Sequence, residues 1–252
     1  MKVYGFWPLV FALFLSGCAT YNTATGRSEV IFISTSSEVS MGNQIHRQLA
    51  SKNNILKDTE EARQLERLGQ RLARVSDRQD FQYHFHLVES KEINAFTVPG
   101  GHVYFYTGLF RQLKTDDEIA AVLAHEIGHC AAKHTVKKFQ AALGYDLARN
   151  VALRLLAWKA PGTESIAALG ADGLMNLGQT AYSRQDEYEA DRLGIKYLYL
   201  AGFDLNAMIN VFEVLAKADK GHGPPLILRT HPFVKDRVIA VKKEIEQVKT
   251  KY

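Results

Sequence analysis

The strongest structural signal in this chain lies in five residues, His125-Glu126-Ile127-Gly128-His129. Successive residues of an α-helix are rotated by about 100°, so the two histidines would be about 40° apart on one face and could bind the same ion. The glutamate beside the first histidine could then reach a water molecule on that ion. The pattern predicts a helix with a hydrolytic zinc site. Two surface histidines beside a salt-bridging glutamate are the alternative.

Local signals also indicate that these residues are helical. Thr115 and Glu118 form a T-x-x-E capping box, which is typical of a helix N-terminus. The residues that follow have the apolar spacing of a half-buried helix: Ile119, Val122, Leu123 and Ile127. We expect one helix to begin after Thr115 and to pass through both histidines.

A catalytic zinc ion with two histidine ligands needs a third protein ligand and one open position. Residues 183–191 offer candidates, because Arg184, Glu187 and Asp191 fall on one helix face at i, i+3 and i+7. We predict Glu187 as the third ligand and Asp191 as the acceptor for the free ring N–H of a ligand histidine. Arg184 is given a catalytic role, binding a carboxylate or the substrate carbonyl. A shift in register would replace Glu187 by Asp186 or Glu189, so spacing alone leaves the third ligand open.

The residues after His129 exclude a zinc site of the metzincin type. Ala132 and Thr135 stand where that class has glycine and a third histidine. If the helix continues, His134 is rotated by about 140° from His129 and is expected to face away from the metal. Cys130 is rotated by about 100°, so we expect a small buried side chain rather than a ligand.

The N-terminal residues have the pattern of a bacterial lipoprotein signal. An apolar core over residues 6–15 leads into the lipobox Leu15-Ser16-Gly17-Cys18. We expect residues 1–17 to be removed and Cys18 to be lipidated, which anchors the chain without spanning the bilayer. Ala19 after the cysteine favours the outer membrane, facing the periplasm, over retention at the inner membrane.

The sequence predicts two parts after the signal. Residues 18–35 are expected to be a polar, lipid-anchored tether with a short strand, and residues 36–252 a single catalytic domain. The composition is that of an ordinary globular domain, with 46% hydrophobic and 23% charged residues. Charged residues interrupt the apolar runs between residues 139 and 182, which predicts helices packed on the core rather than a membrane span. The net charge of +4 is modest, and no nucleic-acid partner is expected.

In two stretches, apolar and polar residues alternate as they do in β-strands. In the first, Tyr83, Phe85 and Leu87 alternate with polar residues that include His84 and His86, which we expect to be ordinary polar side chains rather than metal ligands. In the second, residues 94–107 predict a hairpin around Pro99-Gly100-Gly101. We expect the strand over residues 102–106 to pair with an extended substrate by β-augmentation. The predicted substrate-binding edge consists of Asn94, Ala95, Phe96, His102, Val103 and Tyr104.

Several motifs occur in order along most of the chain: Asn94-Ala95-Phe96 with Pro99-Gly100-Gly101, Tyr106-Thr107-Gly108-Leu109, His125-Glu126-Ile127-Gly128-His129, Ser183-Arg184 with Glu187-x-x-Ala190-Asp191, and Thr230-His231-Pro232. With this set the chain resembles the HtpX, BepA and CaaX-prenyl-protease group of zinc metallopeptidases. The lipobox makes it similar to the soluble periplasmic lipoprotein branch of that group.

This resemblance implies a fold of the gluzincin type, which is α+β and predominantly helical, with a small sheet whose edge strand borders the active-site cleft. It implies one zinc ion per chain, bound by His125, His129 and Glu187, with Glu126 in catalysis. It also implies that His231 lies on a loop over the metal, either as a fourth ligand or as a group that stabilises the oxyanion.

These features together predict a zinc-dependent endopeptidase that cleaves unfolded or misassembled envelope proteins. Zinc would lower the pKa of its bound water toward about 7, and Glu126 would take the proton and pass it to the leaving amine. The alternative is a chaperone-like assembly factor for outer-membrane proteins, in which the zinc site is latent or structural. The expected partners are polypeptide substrates, the membrane through Cys18 and the outer-membrane assembly machinery.

Overall fold

The computed structural model describes residues 19–144, 180–219, 224–232 and 235–251. Its helices are α1 (Thr35–Lys52), α2 (Glu60–Ala73), α3 (Thr107–Phe110), α4 (Asp116–Ala131), α5 (134–144), α6 (Arg184–Ala201), α7 (Ala207–Ala218), α8 (Leu226–Thr230) and α9 (Lys235–Lys251). Its strands are β1 (Ala19–Asn22), β2 (Arg27–Val30), β3 (Ile55–Leu56), β4 (His84–Val88), β5 (Ala95–Val98) and β6 (His102–Tyr106). The fold is α+β and predominantly helical, as predicted. The predicted lipidation site, Cys18, and residues 145–179 of the predicted packed helices lie outside the described residues.

The main sheet has the strand order β3-β4-β6-β5. β6 pairs antiparallel with β5 across the turn Pro99–Gly101, so the predicted hairpin is confirmed. On its other side β6 pairs in parallel with β4, with His84 opposite His102. The sheet is therefore mixed, and β6 is an interior strand.

The position of β6 corrects the predicted substrate-binding edge. Because both sides of β6 are hydrogen-bonded within the sheet, His102, Val103 and Tyr104 have no free strand edge to offer a substrate. β5 is an edge strand in the part of the chain that is described. Of the predicted edge residues, Ala95 and Phe96 lie on β5, and Asn94 directly precedes it.

The turn between β5 and β6 is held by α1. Gly100 and Gly101 have φ angles of +76° and +81°, a left-handed conformation that glycine adopts without steric cost. The carboxylate of Glu38 accepts a hydrogen bond of 3.2 Å from the N–H of Gly100. A Cβ atom on Gly42 would overlap the carbonyl group of Pro99. α1 therefore packs backbone against backbone on this turn.

α4 is the central helix of the domain. Thr115 caps it by accepting a hydrogen bond of 3.2 Å from the N–H of Glu118, and Glu118 in turn accepts one of 2.6 Å from Lys114. The helix begins where the sequence predicts. All residues from Glu118 to Ala131 are buried, because α2, α6, α7 and β5 pack around the helix. The expectation of a half-buried helix is therefore wrong.

The two helices that carry the predicted ligands, α4 and α6, cross at glycine residues. A Cβ atom on Gly128 would lie 2.7 Å from the carbonyl oxygen of Ala190. A Cβ atom on Gly194 would lie 3.3 Å from the backbone nitrogen of His125. Glycine at both positions permits a close approach, which brings the ligand-bearing turns of the two helices together.

The N-terminal residues form a docked hairpin. β1 and β2 pair antiparallel, and the carbonyl group of Ala24 between them accepts a hydrogen bond of 3.0 Å from Arg192 of α6. Arg27 of β2 donates two hydrogen bonds of 2.8 Å to the carboxylate of Glu189, also on α6. The predicted polar tether is corrected for residues 19–26, because these residues form β1 and a turn that dock on α6, whereas the predicted short strand overlaps β2. None of the helices in the described ranges combines the length and apolar character needed to cross a membrane.

Candidate metal centre and active site

Three parts of the fold bring together the predicted ligands. His125 and His129 come from α4, Glu187 from α6, and His231 from the residue after α8. All four side chains are buried, and one ligand atom from each lies within 4.8 Å of the others. The Nε2 atoms of His125 and His129 are 3.1 Å apart, and Glu187 Oε1 lies 3.4 Å from His129 Nε2.

The donor atoms fit a zinc ion. Two nitrogens that are each 2.0–2.1 Å from a tetrahedral ion are about 3.3 Å apart, close to the 3.1 Å between the two Nε2 atoms. Both Nδ1 atoms have other partners, so the two Nε2 lone pairs face each other beside the Glu187 carboxylate. Facing lone pairs and a carboxylate repel one another unless a cation lies between them. Imidazole and carboxylate are also ligand types that zinc prefers.

A buried carboxylate orients His125. The ring donates from Nδ1 to Asp191 Oδ1 at 2.9 Å, which leaves Nε2 for a metal. Arg237 of α9 donates two hydrogen bonds of 2.7 Å to the same carboxylate, and its Nη1 lies 2.5 Å from Glu187 Oε2. Burial alone would raise the pKa of Asp191, but the charge and hydrogen bonds of Arg237, together with those of His125, outweigh burial and lower it. The carboxylate therefore remains charged inside the protein, next to His125, a predicted ligand.

A second histidine orients His129. The Nδ1 atoms of His129 and His134 are 2.9 Å apart, and His134 Nε2 is 3.3 Å from Glu189 Oε2. His134 thus donates to Glu189 and accepts from His129, whose Nε2 is left for a metal. The prediction that His134 faces away is wrong, because α4 ends at Ala131 and the chain turns at Lys133, which has a φ angle of +56°.

Glu126 lies in the same buried space as the ligands. Neither carboxylate oxygen of Glu126 has a hydrogen-bond partner among the described residues, and Oε1 is 3.4 Å from His231 Nε2. Burial raises the pKa of Glu126, and the nearby histidines oppose this only in part. A buried carboxylate with unpaired oxygens and a raised pKa is suited to accept a proton and to hold it.

His231 lies against both the ligands and the predicted base. It follows the last residue of α8, and its N–H donates to the carbonyl group of Ile227 at 2.8 Å. Its Nδ1 is 3.0 Å from Glu187 Oε1 and 3.3 Å from His125 Nε2. One ring therefore contacts two predicted ligands through Nδ1 and approaches Glu126 through Nε2.

Comparison with known proteins identifies the family. The sequence profile of Peptidase family M48 matches residues 59–245, a span that contains every residue of this cluster. The chain belongs to peptidase family M48. The predicted family and enzyme class, a zinc metallopeptidase, are thereby confirmed.

Relatives of this M48 chain include proteases of bacteria and mitochondria. It is 31% identical over 233 residues to the beta-barrel assembly-enhancing protease of Escherichia coli (strain K12), which covers 89% of this chain and 47% of that protein. It is 30% identical over 228 residues to the protease of the same name from Yersinia pestis, with the same two shares. It is 29% identical over 187 residues to the mitochondrial metalloendopeptidase OMA1 of Schizosaccharomyces pombe, 73% of this chain and 53% of that protein. The chain thus spans about half the length of the curated relatives it matches.

Arg184, predicted as a catalytic residue of the M48 chain, lies apart from the cluster. It is exposed at the first position of α6, one turn before Glu187. No hydrogen bond or ion pair within the described ranges joins it to the metal site. The structure does not place Arg184 on a carboxylate of the site, and the alternative, that it binds the substrate carbonyl, stays a prediction. Arg237 binds Asp191 and Glu187 instead, because α9 packs against the part of α6 that faces inward.

Sequence analysis missed two other residues at the centre. Arg237 lies on a helix rich in lysine and glutamate, a composition typical of a solvated surface. Tyr182 stacks on the ring of His129, with ring centroids 3.8 Å apart, and its buried hydroxyl has no partner in the described part of the chain. The position of Tyr182 directly before the Ser183-Arg184 motif was the one sequence signal that could have drawn attention to it.

An apolar pocket lies beside Glu126. His125, Glu126, His231 and Arg237 form its polar end. Its walls are formed by Val122, Met208, Val211, Phe212, Leu215, Ile227 and Leu228. A pocket of this kind can accept an apolar side chain and orient it through a few polar groups.

Cys130 is part of the contact between α4 and β5. Its Sγ atom is 2.8 Å from the Thr97 hydroxyl, and the side chain is buried. Burial raises the pKa of the Cys130 thiol to about 12, so the thiol is protonated at neutral pH. Cys130 is the small buried side chain that helical spacing predicts, and it links the metal-site helix to the edge strand.

Proposed function

We propose that this chain is a zinc-dependent endopeptidase that hydrolyses peptide bonds within unfolded or misassembled proteins of the bacterial envelope. The observation that carries the proposal is the position of Glu126. Its carboxylate is buried with both oxygens unpaired among the described residues, beside histidines that converge on one point with Glu187. Membership of peptidase family M48 supports the same chemistry.

One zinc ion per chain would be held by His125, His129 and Glu187. When bound, zinc supplies Lewis acidity, which lowers the pKa of a water molecule to about 7 and polarises the scissile carbonyl group. Glu126 accepts a proton from the attacking water and delivers it to the leaving amine nitrogen. With Nδ1–H on Glu187, the doubly protonated ring of His231 would donate from Nε2 to the carbonyl oxygen as negative charge develops on it.

The substrate is expected to bind as an extended segment. β5 offers a strand edge that is unpaired among the described residues, and pairing through the main chain depends little on sequence. The apolar pocket beside Glu126 would take an apolar side chain next to the scissile bond. Folded proteins bury their apolar side chains and pair most of their strands, so both features favour unfolded polypeptides.

We also propose that the chain works at the periplasmic face of the outer membrane, held by a lipid on Cys18. β1 begins at Ala19, directly after the lipobox, so the lipid would hold the docked hairpin close to the bilayer. Tyr21 and Val30 share one face of that hairpin and are both exposed, as is Phe32 just beyond it. The name of the bacterial relatives, beta-barrel assembly-enhancing protease, supports a role beside the outer-membrane assembly machinery.

Metabolic labelling with radioactive palmitate tests the lipid anchor. We expect label on the wild type and none on Cys18→Ala. A wild type that carries no label would contradict the anchor and leave the peptidase proposal unaffected.

One observation favours the second candidate, a chaperone-like assembly factor whose zinc site is latent. His231 already contacts Glu187 and His125 through Nδ1, so this ring could occupy the position that water needs. A ring held there would keep zinc in a closed, structural site. The two candidates therefore differ in whether zinc-loaded protein cleaves a substrate.

Digestion of unfolded casein by the full-length protein tests the proposal. We expect cleavage by the zinc-loaded wild type, loss of cleavage on chelation and recovery on adding zinc. His231→Ala should cleave faster if the ring blocks the site, and about 10²–10³-fold more slowly if it stabilises the oxyanion. Intact casein with both zinc-loaded proteins would favour the assembly factor.

A further inference from the structure

Three histidines outside the active site lie together between α1 and the main sheet. His46 comes from α1, His86 from β4 and His102 from β6, and we refer to them as the histidine triad. One ligand nitrogen from each lies within 4.8 Å of the others. The closest pair is His86 Nε2 and His102 Nδ1, at 3.0 Å. The triad shares no residue with the catalytic cluster.

Neighbouring polar groups orient two rings of the triad. His102 Nε2 is 3.2 Å from Asn43 Oδ1, an oxygen that can only accept, so Nε2 carries the proton. A neutral His102 ring then directs the lone pair of Nδ1 at His86. His46 Nδ1 is 3.0 Å from the Tyr104 hydroxyl, which leaves its Nε2 available. Outer partners of this kind fix the ring orientation of metal-binding histidines.

The electrostatic environment keeps the triad neutral. Burial, together with repulsion from the neighbouring histidines, lowers the pKa of His86 and of His102 to about 3. Burial, followed by the nearby charges of His84, Lys57 and Arg47, also lowers the pKa of His46. A metal ion binds the neutral form of imidazole, so at neutral pH the rings do not first have to give up a positive charge.

We propose that the histidine triad is a second metal site, which binds a divalent transition cation of the class that prefers imidazole, such as zinc. Three histidine ligands with one position left for water are a known zinc arrangement. The rings are stacked, with interplanar angles of 12° to 23°. Binding therefore requires the rings to fan apart, so that each nitrogen lies about 2.0–2.1 Å from the ion.

A metal in the triad would cross-link three separate parts of the chain. It would join α1 to β4 and β6, and α1 also holds the turn that connects β5 with β6 through Glu38 and Gly100. The triad thus lies where a bound ion would fix the position of α1 over the sheet. The expected contribution is to stability, and the proposal does not depend on the proposed peptidase activity.

Zinc stoichiometry of the full-length protein tests the second site. Metal-free protein is titrated with Zn²⁺ in competition with a chromophoric chelator. We expect two equivalents for wild type, one for His86→Gln, and one for His129→Gln, which lacks only the catalytic site. The matched control is His84→Gln, since His84 stacks on His102 but is exposed and lies outside the triad, and it should bind two.

A second variant and a second measurement distinguish the loss of the second metal site from misfolding of a single variant. His46→Gln changes a half-buried residue of α1 and should also bind one equivalent. Added Zn²⁺ should raise the melting temperature of His129→Gln and leave that of His129→Gln/His46→Gln unchanged. One equivalent in wild type that disappears in His129→Gln, or two equivalents in His46→Gln, would overturn the proposal.

Discussion

Replacing Arg237 by glutamine should remove the charge that balances two buried carboxylates. Arg237 is 4% exposed, donates two hydrogen bonds of 2.7 Å to Asp191, and lies 2.5 Å from Glu187. Without the guanidinium group, two carboxylates would remain side by side in the core. Glutamine preserves some of the volume of arginine and none of its charge.

The size of the effect follows from the burial of this network. Removing one partner of a buried ion pair costs about 3–5 kcal/mol. For a domain of roughly 150–250 residues, each kcal/mol corresponds to about 2–4 °C in melting temperature, so the metal-free variant should melt about 6–20 °C lower. Loss of the group that fixes Asp191 should also weaken zinc binding about 10–100-fold, which is about 1.4–2.7 kcal/mol.

Unfolding experiments with and without zinc measure both effects. Arg184→Gln is the matched control, because Arg184 is exposed at the start of α6 and its loss should change the unfolding free energy by no more than about 0.5 kcal/mol. At saturating zinc the loss in Arg237→Gln should grow by about 1.4–2.7 kcal/mol, because the variant binds the ion more weakly and is stabilised less by it. A loss below about 1 kcal/mol with unchanged zinc affinity, or equal losses in the two variants, would refute this account.

Three further changes test other parts of the structure. Glu189→Ala removes the nearer acceptor of the His134 ring and leaves the Asp186 carboxylate at 3.4 Å, so calorimetric titration should detect zinc binding weakened about 10-fold or more. Unchanged affinity would mean that Glu189 does not orient His129 through His134. Gly128→Ala should lower the free energy of unfolding in urea by about 1–3 kcal/mol, because its Cβ would press on the α6 backbone. The control Gly144→Ala, with no described atom within 4 Å, should leave this free energy unchanged or raise it. Equal effects of the two substitutions would contradict the close crossing of α4 and α6. Folding lowers the pKa of His102 from 6.5 to about 3, so between these values the unfolded state binds more protons than the folded state. The free energy of unfolding should therefore fall by about 1–2 kcal/mol from pH 8 to pH 5. His102→Gln should reduce this pH dependence, and an unchanged dependence would show that His102 is not its source.

Local sequence signals predicted the parts of the fold that depend on local structure. The capping box of α4 and the Pro99-Gly100-Gly101 turn both appear where the pattern indicates. Strand order was not predictable in this way. Alternation of apolar residues marks β6 as a strand, but its parallel pairing with β4 joins segments that no short-range pattern connects. The substrate edge was consequently predicted in part on an interior strand.

The residues of the site likewise fall into those that local patterns and motifs identify and those that only tertiary contacts reveal. His125, His129 and Glu187 could be found because helical spacing relates residues within one helix, and the family motifs relate the two helices. His134 was predicted wrongly because no glycine or proline marks the end of α4, and the turn occurs at Lys133 instead. Arg237 pairs with Asp191 across 46 positions, so only the packing of α9 reveals the contact.

The docked N-terminal hairpin could not be predicted for a related reason. Its residues are mostly polar, which is the composition of a tether as well as of an exposed hairpin. What decides between them is a set of tertiary contacts, chiefly the ion pair of Arg27 with Glu189 and the hydrogen bond from Arg192 to Ala24.

The central claim is that Glu126 is the base of a zinc peptidase, and it is tested most directly by casein cleavage with zinc-loaded Glu126→Gln. The side chain keeps its shape and is not a predicted ligand, so the variant should retain the zinc content of wild type. We expect its cleavage rate to fall by at least about 10²–10⁴-fold. Cleavage at the wild-type rate by a zinc-loaded variant would contradict the assignment of Glu126 and the mechanism built on it.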